Sequence, residues 1–228
     1  MQSAQHWLDV VAHNLANVST TGYKRQGVAF NDTLTRALYG DGGRYLGELG
    51  AGTTLQGEYT VMEVGSITTT GNALDVAIQS QEGLFAVETQ GGVRYTRDGA
   101  FTLNADRELV TKSGHPVLDQ NENTIQLPPG QIEIDTDGAV SVDGTAVATI
   151  GVFDGAVVKS GSGLFSGQDM QRIDSPSLLP GAIEGSNVNA IEQMIEMIRL
   201  NRIYEMAQRS AQGQDEMTQK LIQSIQNR

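Results

Sequence analysis

Apolar residues recur in steps of three and four at both ends of the chain and in steps of two through its middle. At the C-terminal end, Val188, Ile191, Ile195, Ile198, Ile203, Ala207, Ala211, Met217, Leu221 and Ile225 fall on one helical stripe. The stretch from Ser186 to Arg228 holds no proline and a single glycine, Gly213. A helix of about 40 residues at 1.5 Å per residue spans roughly 60 Å. That exceeds what a domain of this size needs for its own core, so the stripe predicts contact with partner helices. A shorter stripe, Ala4, Leu8, Val11 and Leu15, predicts a helix over residues 1–17, with Gly22 as a breaker beyond it. Ala207, Ala211 and Gln214 make the long stripe weak as a self-contained core and permit close helix packing in an assembly. The expected subunit interface is therefore Leu8, Val11, Leu15, Val188, Ile191, Ile195, Ile198, Ala207, Ala211, Leu221 and Ile225.

Between the ends the period changes. Leu74, Val76 and Ile78 alternate with Asp75 and Ala77, the pattern of a half-buried strand. Phe85 and Val87, Val93 and Tyr95, and Phe101 and Leu103 continue it, with turns expected at Gln90–Gly92 and Asp98-Gly99. Ile132 and Ile134, then Asp137-Gly138, then Val140 and Val142 predict a hairpin, because the turn needs the positive φ that glycine supplies. Asp143-Gly144 and Asp154-Gly155 predict two further turns. The Leu127–Gly130 segment, Leu-Pro-Pro-Gly, breaks the sheet. The glycine-rich run 40–52 reads as a loop or hinge, and 159–186 as a polar connector. Asn189 to Glu192 resembles a capping box, and Glu205–Arg209 and Glu216–Lys220 are i,i+4 pairs on the outer face of the helix that follows.

Charge narrows the function classes. The chain of 228 residues carries a formal charge of -12, and residues 30–186 hold 21 acids against 8 bases. An acidic body with neutral ends argues against nucleic acid, which needs clustered Lys and Arg. There is no cysteine, which removes disulfides, thiolate nucleophiles and cysteine-ligated metals. No apolar run approaches the length of about 18 residues that membrane insertion needs, and MQSAQHWLDV does not begin like a cleavable signal.

Candidate chemistry is sparse. His6, Asp9 and His13 share a helix face, but two turns separate the histidines, and a polar strip explains them better than a metal site. Asp135-Thr-Asp137-Gly138 opens like a calcium loop without its later ligands, so a hairpin turn is the simpler account. Gly161–Gly167 lacks the Gly-Lys-Ser/Thr ending of a phosphate loop and reads as a surface turn. His115, before Pro116, has no evident catalytic neighbour in sequence, and Asn17-Val-Ser19 and Asn31-Asp-Thr33 fit a sequon common by chance. No cofactor, metal or catalytic residue is assigned.

Four segments carry a family resemblance: Asn14 to Lys24 (NLANVSTTGYK), Gly71 to Ile78 (GNALDVAI), Tyr95 to Phe101 (YTRDGAF) and Glu184 to Val188 (EGSNV). Together they resemble bacterial flagellar rod and hook proteins, in the family's order and across nearly the whole chain. The signature residues are Asn14, Leu15, Ala16, Asn17, Thr21, Gly22 and Tyr23; Gly71, Asn72 and Asp75; Arg97, Asp98 and Gly99; and Gly185, Ser186, Asn187 and Val188. The resemblance implies a basal-body rod subunit in which the terminal helices pair as a coiled coil lining a channel and the β domain packs outside. It further implies passage across the periplasm as a drive shaft, transmission of torque from motor to hook, and export by the flagellar apparatus without a cleaved signal. Against the family pattern the chain looks short before Gln5, and short between Lys24 and Thr60 for the distal rod. The second feature favours the proximal type, although the segment Asn201–Glu205 looks more distal.

The expected fold class is α+β: a mainly antiparallel β domain flanked by N- and C-terminal helices that pair. Its parts are a rod helix and signature loop (1–29), an extended connector (30–60), the β domain (61–158), a connector (159–186) and the C-terminal coiled-coil helix (187–228). Expected partners are copies of itself, other rod and hook subunits, and the export apparatus. The competing readings are a secreted adhesin or carbohydrate-binding β domain, and a glycan-acting enzyme with paired carboxylates.

Overall fold

A computed structural model describes residues 2–32, 36–39, 45–49, 53–161 and 163–226. Among the described residues the chain is α+β, with two helices and mostly antiparallel strands. It divides into two compact units, one of Met1–Leu15, Gln26–Tyr59 and Asn189–Arg228, the other of Ala16–Arg25 and Thr60–Val188.

The first unit contains both helices. Helix α1 runs Gln2–Ala16 and α2 runs Ala190–Gln226, 37 residues or roughly 55 Å. Asn189 caps α2, its Oδ1 accepting from the Ile191 and Glu192 amides at 3.1 and 3.4 Å. Strand Gln26–Asp32 pairs with Thr53–Thr60, and Arg36–Tyr39 pairs with Tyr45–Leu49. The span 30–60 therefore contains strands where an extended connector was expected; residues 40–44 and 50–52 of the glycine-rich run lie outside the described residues. Among the described residues, no helix is long and apolar enough to cross a membrane.

The second unit is the β body. Strands Val152–Lys159, Leu164–Arg172, Gly92–Thr96 and Leu84–Thr89 close into a small antiparallel barrel. One core gathers Val76, Ile78, Phe85, Val87, Phe101, Leu109 and their neighbours. A second, around Leu84, Tyr95, Leu118, Phe153 and Phe165, sets Tyr95 edge-on to Phe153 at 5.9 Å between ring centroids. The predicted hairpin is present: Ile132 pairs with Val142 and Ile134 with Val140. Its turn spans Asp135–Gly138, with the Gly138 amide donating to the Asp135 carbonyl at 3.0 Å and φ of 82° at Gly138. Asp143 and Gly144 both take positive φ, 50° and 79°, as a tight primed turn requires.

Three local expectations change. Asp154-Gly155 is no turn but a register shift inside strand Val152–Lys159, where a Cβ at residue 155 would meet Met170. Segment 159–186 is largely strand: Leu164–Arg172 closes the barrel, Leu178–Pro180 pairs with Val76–Ile78, and Ala182–Glu184 pairs with Ile67–Thr69. Those partners lie far away in sequence, so local polarity did not reveal them. Strand Val76–Ile78 is buried throughout, Ala77 and the adjoining Asp75 included, so it lacks the solvent face that its alternation suggested.

Candidate functional site

The four motifs meet in the β body. Residues 16–25 form a loop whose glycine, Gly22, takes φ of 64° and lies so close to the Arg97–Asp98 backbone that a Cβ would collide with it. The Gly22 amide donates to the Glu184 carbonyl at 2.8 Å, and the Asn187 amide donates to the Tyr23 carbonyl at 3.3 Å. Asn187 Oδ1 accepts from the Arg25 amide at 2.7 Å, while its Nδ2 donates to the Val61 and Glu63 carbonyls. Tyr23 is buried and receives Lys159 Nζ at its hydroxyl (3.2 Å) and over its ring (4.5 Å).

At the centre lie three fully buried charges. Lys24 Nζ donates to Glu184 Oε1 at 2.6 Å, and Arg97 Nε donates to Glu184 Oε2 at 2.7 Å. The Gly65 amide adds a bond to Oε1 at 2.8 Å. Lys24 Nζ also reaches the Glu63 carbonyl at 2.6 Å. The Arg97 guanidinium donates to the carbonyls of Ile78, Ser80, Gln81, Glu82 and Gly83, and so staples that turn. Burial pulls Lys24 below the usual lysine range, against the opposing pull of Glu184. Around this centre, Asp75 accepts from Thr70 Oγ1 (2.6 Å) and Asn72 Nδ2 (3.0 Å), and its carbonyl accepts from the Gly181 amide. Gly71, with φ of 76°, donates to the Gly181 carbonyl, and Gly185 donates to Ser66. Gly99 admits the Val76 carbonyl where a side chain would block it. Ser186 Oγ accepts from the Val188 amide, and Val188 is buried.

Asp98 accepts from the Ala100 amide at 3.1 Å and shares a polar cleft with Asn17, Thr20, Thr21, Thr111 and His115. Burial raises its pKa, against the hydrogen bonds from Thr21 and Ala100. Asn17 Oδ1 accepts from Thr20 Oγ1 at 3.2 Å.

Of the remaining signature residues, Asn14 and Leu15 belong to the helical unit and Ala16 to the β body. Asn14 is buried and acts as a strand end, accepting from the Gln26 amide at 2.9 Å and donating to its carbonyl at 2.8 Å. Asn14 Nδ2 also donates to Gln193 Oε1 of α2 at 3.2 Å. Leu15 is half-buried and Ala16 exposed. His6, from the polar strip, lies 3.0 Å from Glu58.

The predicted seam residues divide by helix. Val11 is buried, and Leu8 and Leu15 are half-buried. On α2, Gln193 and Leu200 are buried and Ala207 is half-buried, whereas Ile191, Ile195 and Ile198 are 69%, 61% and 54% exposed. Met194, Ile203 and Met206 extend this open apolar face, with Arg199 and Arg202 beside it. Ala211, Leu221 and Ile225 lie within α2, their side chains outside the described residues. Neither Lys24 nor Glu184 is among the site residues expected from the sequence. Their only available signal was an unlike charge in each of two motifs that flank the helices.

Each buried charge in this body is met by an opposite charge or by hydrogen bonds, which is the chemistry of a structural joint. Comparison with known proteins agrees. Residues 1–24 match the family described as "Flagella basal body rod protein", 77–142 the "Flagellar hook protein FlgE/F/G D1 domain", and 179–224 the "Flagellar basal body rod FlgEFG protein C-terminal". Lys24, Arg97 and Glu184 fall one in each. The chain is 32% identical to the basal-body rod protein FlgF of Rhizobium meliloti, over 87% of this chain and 83% of that protein. It is 30% identical to FlgG of Bacillus subtilis, over 97% and 94%. The chain belongs to the flagellar basal-body rod protein family, whose members are structural proteins of the flagellum. The adhesin and carbohydrate-binding readings find no support in these matches.

Proposed function

We propose that this chain is a proximal-type rod subunit that assembles helically with copies of itself and with neighbouring rod and hook subunits. The observation that carries this reading is the open apolar face of α2. Three isoleucines more than half exposed within three turns form a seam that water disfavours. In the assembled rod the terminal helices pair as a coiled-coil layer and carry torque from motor to hook, while the β body makes lateral contacts. The subunit reaches its place across the periplasm through the flagellar export apparatus, without a cleaved signal, and has no catalytic role.

The proximal assignment has a further support. Alignments to the FlgF proteins of Mesorhizobium japonicum and Caulobacter vibrioides run to 229 and 227 positions over 94% and 96% of this chain. The alignment to FlgG of Bacillus subtilis runs to 251 positions over 97%, so this FlgG needs more inserted residues than those two FlgF proteins do. The test is Ile191→Ser/Ile195→Ser/Ile198→Ser in the full chain, followed by sedimentation velocity and electron microscopy at high concentration. Wild type should form rods, rings or larger species, and the triple variant should remain monomeric with unchanged circular dichroism. Assembly of the triple variant like wild type overturns the reading.

A further inference from the structure

The Glu184 centre holds two cations and one anion, and the three groups are not equivalently anchored. Arg97 has alternative partners: five carbonyls between residues 78 and 83 hold its guanidinium whether or not a carboxylate is near. Glu184 would also keep partners without Lys24, namely Arg97 Nε and the Gly65 amide. Among the described residues Lys24 has no second carboxylate at ion-pair distance, and the Glu63 charge acts on it only as the smallest of the electrostatic influences. Besides Glu184 its ammonium meets the carbonyls of Glu63 and Met62, and it shares the site with the Arg97 charge. A body with Ala182–Glu184 seated and the 16–25 loop open is thus electrostatically complete. A body with the loop docked and Glu184 absent would bury two cations together with only the weaker influence of Glu63 to offset them.

We propose that Glu184 gates the loop: residues 16–25 dock only onto a body whose 182–188 segment is already in place. The two chain ends therefore close in a fixed order, the C-terminal segment first. In a chain whose N-terminus appears first, the root of α1 waits for residues made about 160 positions later, the separation of Lys24 from Glu184. The main chain reinforces the order, because the Gly22 amide and the Tyr23 carbonyl bond to residues 184 and 187. No part of this depends on the rod reading, since it rests on charge balance inside the β body.

Hydrogen exchange on the full-length chain tests the order. Glu184→Gln should accelerate exchange at the Gly22 and Arg25 amides by roughly a hundredfold or more, the consequence of removing one partner from a buried ion pair. The Thr70 and Gly181 amides, which report strand seating, and the Val117 and Leu118 amides of the core should stay close to wild type. Gly22→Ala, which forces the loop off by collision, should likewise leave Gly181 and Gly185 protected. Lys24→Met combined with Glu184→Gln should return the loop amides towards wild-type protection, because the unpaired cation is gone. Unchanged loop exchange in Glu184→Gln overturns the proposal, as does equal opening of residues 181–185 in Gly22→Ala. If Glu184→Gln unfolds the whole chain, the double variant decides: recovered protection at Val117 and Leu118 supports the gate, and continued unfolding overturns it.

Discussion

Lys24 Nζ and Glu184 Oε1 meet at 2.6 Å with both side chains fully buried, and 160 residues of sequence separate them. Truncating one member of a buried pair leaves an uncompensated charge, a loss of about 3–5 kcal/mol. Glu184→Ala leaves two cations so placed, and should lose at least the lower end of that range. Lys24→Met leaves the Arg97–Glu184 pair intact and should lose less than half as much. Urea unfolding followed by circular dichroism measures both, and equal losses would contradict the asymmetry of the centre.

Two glycines separate steric need from conformational need. Gly99 lies against the Val76 carbonyl at ordinary φ, while Gly144 has φ of 79° with open space around it. Gly144→Ala should cost about 1–2 kcal/mol, the left-handed penalty for an L-residue. Gly99→Ala must push apart Val76 and the loop that carries Arg97, and should cost more, about 3 kcal/mol, the upper end for overpacking. Thermal unfolding of the two variants side by side checks the ranking.

How far these features were readable from sequence follows their range along the chain. The hairpin of Ile132 and Ile134 with Val140 and Val142 was legible because its turn and its alternation sit within about ten residues. Asp154-Gly155 misled for the opposite reason: the dipeptide favours a turn, but pairing with strand Leu164–Arg172 holds it extended as a bulge. The Ala182–Glu184 strand depends on Ile67–Thr69, a partner that no local pattern names. The motifs were visible as motifs, yet their joint purpose appears only where Lys24, Arg97 and Glu184 converge. On α2 the period of 3.6 was plain, while the choice of inward face ran against hydrophobicity, with Gln193 buried and Ile191 exposed. Gln193 faces inward because its Oε1 receives Asn14 Nδ2.

Acidity provides a separate probe at Asp98. Burial lifts its folded pKa above the ordinary 3.8, so the folded protein binds the proton more tightly than the unfolded chain. Its contribution is therefore most favourable below pH 3.8, declines as pH rises through the window up to the folded pKa, and is constant above it. Asp98→Asn keeps an acceptor for the Ala100 amide and removes the titration. The stability of the variant relative to wild type should rise with pH across that window and level off by neutrality. Urea midpoints taken from pH 3 to 7 check this, and a relative stability that falls with pH would reverse the sign.

The two faces of α2 differ in what they pack against. Leu200 is 2% exposed and Ile198 is 54% exposed, two residues apart on one helix. Leu200→Ala should cost about 2–5 kcal/mol, the range for a buried leucine. Ile198→Ala removes a larger β-branched side chain from the surface, where substitutions stay within about 0.5 kcal/mol, and alanine's helix propensity acts in its favour. The comparison must be made at low protein concentration, because association through the seam would add stability that rises with concentration. At micromolar protein the Ile198→Ala midpoint should match wild type while Leu200→Ala falls well below it. As protein concentration rises, wild type should gain stability and Ile198→Ala should gain less. A dilute Ile198→Ala variant as unstable as Leu200→Ala would mean that the isoleucine face packs within the chain, and the open seam would be lost as an argument for assembly.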